Sequence, residues 1–106
     1  MWEVKNNNLQ MAEGDFGVKL PFRIKGFELA AGDSVKFVIK SVLNGTEILS
    51  KTYDSFSENS FDLELTESES ERLPVGNYVY RLDAYQAGNY LCNLIPSASF
   101  KVVDKA

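Results

Sequence analysis

Ser60-Phe61-Asp62-Leu63-Glu64-Leu65 alternates apolar and acidic residues without a break. Phe61, Leu63 and Leu65 therefore share one side of an extended chain, and Asp62 and Glu64 the other, which is the pattern of a half-buried strand. Just beyond it, Thr66 and Glu69 stand at capping-box spacing and predict one short helix near residues 67–72, which Pro74 and Gly76 close off. Alternation resumes over residues 77–86, with Tyr78, Tyr80, Leu82 and Ala84 on one face. Ala87-Gly88-Asn89 reads as a hairpin loop whose Gly and Asn accept positive φ. Residues 90–95 and 99–103 are the last two expected strands, separated by Pro96. Upstream, residues 34–42 place Val35, Phe37 and Ile39 inward and Lys36 and Lys40 outward. Asn44-Gly45 then predicts a tight type I′ turn into a partner strand at 46–53. Residues 17–25 set Val18, Leu20, Phe22 and Ile24 against Lys19, Arg23 and Lys25, with Pro21 at an outward position of an edge strand or at a bulge. Leu9 and Met11 mark a shorter strand, joined to it through the turn residues Glu13-Gly14-Asp15. Phe22, Phe37, Phe61, Leu63, Tyr80 and Leu82 are the expected core.

The expected fold is all-β: an immunoglobulin-like antiparallel β-sandwich of about seven or eight short strands and one short helix, without the Cys-Trp-Cys arrangement of antibody domains. The chain of 106 residues, with 44% hydrophobic and 25% charged residues, makes one domain spanning residues 1–106.

Eleven Lys plus Arg against fifteen Asp plus Glu give a net charge of −4, the wrong sign for a surface that tracks phosphates, so no nucleic-acid partner is expected. There is no His and one Cys, which removes the usual proton shuttle, the commonest metal ligand and an internal disulfide. Cys92, between Leu91 and Asn93, reads as a core or half-core thiol. The N-terminus has no apolar run of signal-peptide type, and no stretch is apolar enough to span a bilayer, so neither secretion by a signal peptide nor a membrane partner is expected.

Between Asp54 and Glu71 there are seven acidic residues and no basic one. Strand alternation and the start of the short helix spread them along a surface, and a calcium site needs six or more converging oxygens, so no metal or other cofactor is expected. No serine has a histidine base, and no nucleophile elbow, phosphate loop or dinucleotide fingerprint occurs, so no enzyme activity is expected. Four tyrosines cluster around Gly88. Tyr78 and Tyr80 share the face of Leu82 and belong to the core, whereas Tyr85 lies on the opposite face and Tyr90 just past the turn. Tyr85, Tyr90 and Val103 are the candidate contact residues, because the core does not account for them.

Leu65-Thr66, then Leu73, Gly76, Tyr78, Tyr80, Leu82 and Gly88, and a final strand ending Phe100-Lys101-Val102, together with Gly14-Asp15 before the strand to Ile24, resemble the N-terminal immunoglobulin-like domain family of phage baseplate upper proteins. The resemblance covers most of the chain. It implies a structural module of a phage or prophage tail, made in the bacterial cytoplasm and then built into the virion tail. Its partners would be other tail or baseplate proteins or further copies of itself. The alternative from another class is a small carbohydrate-binding sandwich that uses Tyr85 and Tyr90 as a stacking platform.

Overall fold

The computed structural model describes residues 3–5, 8–17, 19–24, 28–42, 45–56 and 59–104. They form β1 (Glu3–Lys5), β2 (Asn8–Ala12), β3 (Leu20–Arg23), β4 (Asp33–Ser41), β5 (Glu47–Tyr53), β6 (Ser60–Leu63), α1 (Glu67–Ser70), β7 (Gly76–Gln86) and β8 (Asn89–Val103). Six strands make one sheet in the order β1-β2-β8-β7-β4-β5, and β3 and β6 pair in a second. Two sheets of strands with one short helix between β6 and β7 make an all-β, sandwich-like fold, so the expected fold class holds.

The alternation seen in the sequence is what fills the space between the sheets. Val35, Phe37 and Ile39 of β4, Tyr78, Tyr80 and Leu82 of β7, and Phe100 and Val102 of β8 are buried against Phe61, Leu63 and Leu65. The aromatic members meet at favourable angles: Phe37 and Phe100 lie edge to face at 6.4 Å, and Phe61 stacks on Tyr53 at 4.8 Å. Of the expected core residues only Phe22 is half-buried, packed at the rim beside Phe61. Burial also presses on the phenols, and that of Tyr80 is pushed up to about 12 by desolvation.

Thr66 makes the expected capping box: its Oγ1 accepts from the Glu69 N–H at 3.3 Å, and Glu69 Oε1 accepts from the Thr66 N–H at 2.8 Å. One element of the fold was not visible in the residue pattern. The Tyr78 hydroxyl, at the start of β7, donates to the Pro74 carbonyl at 2.7 Å, the tyrosine-corner contact that pins this strand to the preceding loop in immunoglobulin-like domains.

Four details depart from the sequence reading. First, the sheet is mixed rather than wholly antiparallel, because β2 and β8, from opposite ends of the chain, pair in parallel from Leu9↔Phe100 to Ala12↔Val103. Second, residues 89–103 are one strand rather than two. Tyr80 pairs with Ala98 and Leu82 with Ile95, so Pro96 and Ser97 bulge opposite Arg81, and the bulge accommodates the missing proline N–H. Third, the tight turn with two positive-φ centres lies at Ala87 (φ 49°) and Gly88 (φ 86°), while Asn89 is already in β8. Fourth, the β4–β5 connection is wider than a two-residue turn. There the Ser41 N–H donates to the Thr46 carbonyl at 2.9 Å and the Gly45 N–H to the Ser41 carbonyl at 3.0 Å. Gly45 has the expected positive φ of 69°, whereas Asn44, like Val18 and Lys25 of the expected strand at 17–25, lies outside the described residues.

Candidate docking surface

The two-stranded sheet covers one face of the six-stranded sheet, and no described strand covers the other. On that outer face β4 contributes Lys36, Val38 and Lys40, and β7 contributes Val79, Arg81, Asp83 and Tyr85, in register from Lys36↔Asp83 to Lys40↔Val79. β8 adds Asn93 opposite Asp83 and Tyr90 opposite Tyr85.

Asp83 is the unusual residue here, since its side chain is only 2% exposed. Its charge is matched from two sides. Arg81 approaches Oδ2 with Nη2 at 2.6 Å and Nε at 2.8 Å, and the Asn93 amide donates to Oδ1 at 2.7 Å. The carboxylate hydrogen bond, followed by its charge, raises the Arg81 pKa above its ordinary value. Asn93 also donates to the Ile95 carbonyl at 3.1 Å, so one buried acid fixes both the guanidinium and the bulged stretch of β8. Beside this network lies a recess of about 380 Å³ bordered by Val38, Arg81, Tyr90, Asn93 and Pro96.

The structure brings together two of the three candidate contact residues. Tyr85 and Tyr90 face each other across the hairpin, edge to face at 5.8 Å. Tyr90 is 58% exposed, and Leu91 beside it 44%. Val103 lies at the far end of β8, half-buried and paired with Ala12, so it belongs to a different patch. Cys92 is half-buried opposite Ala84, as the apolar neighbourhood implied.

The acidic stretch forms no convergent cluster among the described residues. Asp62, Glu67 and Glu71 are exposed, whereas Glu69 serves the helix cap and pairs with Lys51 Nζ at 2.9 Å. Burial acts to raise the Glu69 pKa, but the Thr66 N–H and the Lys51 ammonium outweigh it and hold the group below its ordinary value. Lys51 also donates to the Glu64 carbonyl. This lysine, on the edge strand β5, therefore ties one side of the large sheet to the segment that follows β6.

A longer signal, invisible at the level of single residue types, lies in the same hairpin. From Ala84 to Phe100 the chain carries no charged residue, although a quarter of all its residues are charged. A count of charge-free runs finds it directly. No protein-family model, curated protein or solved structure matches this chain.

Proposed function

We propose that this chain is a non-enzymatic structural module of a phage or prophage tail or baseplate, acting through protein–protein contacts with other tail proteins or with itself. The family resemblance in the sequence supplies the setting. The observation that carries the contact role is the β7–β8 hairpin, which holds Tyr90 and Leu91 in solvent at 58% and 44% exposure on a segment devoid of charge. Exposed large apolar residues side by side on a strand are what a docking surface presents and what an isolated monomer tends to avoid. The buried polar network behind them acts as scaffold, because Arg81, Asp83 and Asn93 hold one another.

The test is capture of tail components. The tagged chain retains other particle proteins or the products of adjacent genes, and Tyr90→Ala reduces the yield. Equal retention by Tyr90→Ala, or no retention by a chain that is also strictly monomeric, contradicts the reading. The recess beside Tyr90 supports a second reading as a carbohydrate-binding module. On that reading a monomer retains a glycan through Tyr90 and loses it in the alanine variant.

A further inference from the structure

Resting on that assembly reading, we propose that the free edge of β8 from Asn89 to Ile95 pairs antiparallel with the same edge of a second copy of this chain, joining two six-stranded sheets into one.

The edge is open because β2 is short. It covers β8 only from Phe100 to Val103, with the Ser99 N–H taken by Asn8 Oδ1 at 3.1 Å. Among the described residues, no strand lies beside residues 89–98 on that side. An open row of backbone donors and acceptors is a template for another strand, and proteins ordinarily guard it with charge, proline, bulges or brevity. Among the described residues, every other strand edge is guarded in this way. β5 carries Glu47 and Lys51, β1 has only 3 residues, β3 contains Pro21 and Arg23, and β6 has 4 residues including Asp62. β8 from Asn89 to Ile95 has neither charge nor proline and is not short; its register against β7 is bulged at Leu91 and Leu94, its one such device, and its limits are built in. The turn at Ala87 and Gly88 starts it, and Pro96, with no N–H to donate, ends the ladder.

The missing charge also indicates the partner. Two copies of a chain with a net charge of −4 repel each other overall, but in a two-fold pairing each residue of this stretch faces another residue of the same stretch, and none of them is charged. An edge without charge is the one on which two identical strands lie side by side at no electrostatic cost. A charged partner strand would call for complementary charge, and there is none. Tyr90 and Leu91, exposed, and Leu94 and Ile95, half-buried, then cover each other across the junction.

Analytical ultracentrifugation of the full chain over a wide concentration range, with Leu91→Lys and Val75→Lys, tests this. Val75 is as exposed as Leu91, at 51%, and lies before β7. The parent chain forms a dimer, Leu91→Lys weakens it by about tenfold or more, and Val75→Lys does not. A short bismaleimide joins two parent chains through Cys92 and fails with Leu91→Lys. Unchanged circular dichroism and Tm show that each variant is folded. A chain that stays monomeric up to millimolar concentration, or a dimer that both lysines weaken equally, overturns self-pairing. A monomer that instead captures the product of an adjacent gene overturns self-pairing and leaves the assembly reading standing, whereas a monomer that captures nothing defeats both.

Discussion

Replacing Arg81 by Met keeps most of the aliphatic stem and removes the guanidinium that faces the Asp83 carboxylate, leaving only the Asn93 amide at 2.7 Å. A fully buried ion pair broken on one side costs about 3–5 kcal/mol, and an exposed pair about 0–1 kcal/mol. Neither limit applies here, because Asp83 is 2% exposed while Arg81 is 44% exposed. Once the guanidinium is gone, water reaches the carboxylate through the space the arginine head occupied. The expected loss is therefore intermediate, about 2 kcal/mol, equivalent to a Tm lower by about 10 °C for a domain of this size. Urea unfolding followed by tryptophan and tyrosine fluorescence reads it as a lower midpoint at unchanged slope. Arg81→Met with Asp83→Asn strands no charge, so the double variant regains at least half of the loss. A single variant within about 0.5 kcal/mol of the parent, or a double variant as unstable as the sum of the two singles, refutes the argument that Asp83 depends on Arg81.

Three further outcomes follow from the geometry. Ala87 adopts a φ of 49° that suits Gly, so Ala87→Gly raises stability by about 0.5–1 kcal/mol in the same urea assay, the left-handed penalty relieved exceeding the added unfolded-chain entropy. Tyr78→Phe deletes the 2.7 Å bond to the Pro74 carbonyl and lowers stability by about 1 kcal/mol, the lower end applying because the exposed proline carbonyl regains water. Tyr80 ionises at about 12 in the fold against 10.0 as its ordinary value, so the native state holds a proton that the unfolded chain releases. Stability is then intact below the lower value and falls by up to about 2–3 kcal/mol as pH rises to the upper one, seen as a smaller alkaline loss of urea midpoint in Tyr80→Phe.

Faces were legible in the sequence and neighbours were not. Phe61, Leu63 and Leu65, or Tyr78, Tyr80 and Leu82, declare a side by alternation alone, and each is buried where that pattern puts it. The Thr66–Glu69 cap was legible because both partners lie within one helical turn. Pairing across the sequence carries no such local mark. That β2 would join β8 in parallel, or that β8 would run on through Pro96, depends on which strand lies beside which and on a bulge that accommodates the proline. The same holds for the site. Tyr85 and Tyr90 were found from their places beside the turn, and they do meet. Val103 shares their outward facing but sits at the other end of a long strand. Asp83 was missed because an acidic residue at an outward position reads as solvated, and only its cross-strand neighbour Asn93 and the nearby Arg81 explain its burial. The charge-free edge was missed because it is marked by residues that are not there.

Assembly through this hairpin requires that β8 from Asn89 to Ile95 be covered when the protein associates. Amide hydrogen exchange, resolved by residue at a low and a high protein concentration, measures this directly. Amides on the outer side of Asn89–Ile95 exchange rapidly in the dilute chain, as an unpaired strand edge does, and slow by about tenfold or more at high concentration, while the exposed loop around Gly14 does not change. Rates at Tyr90, Leu91 and Leu94 that are the same at both concentrations contradict it.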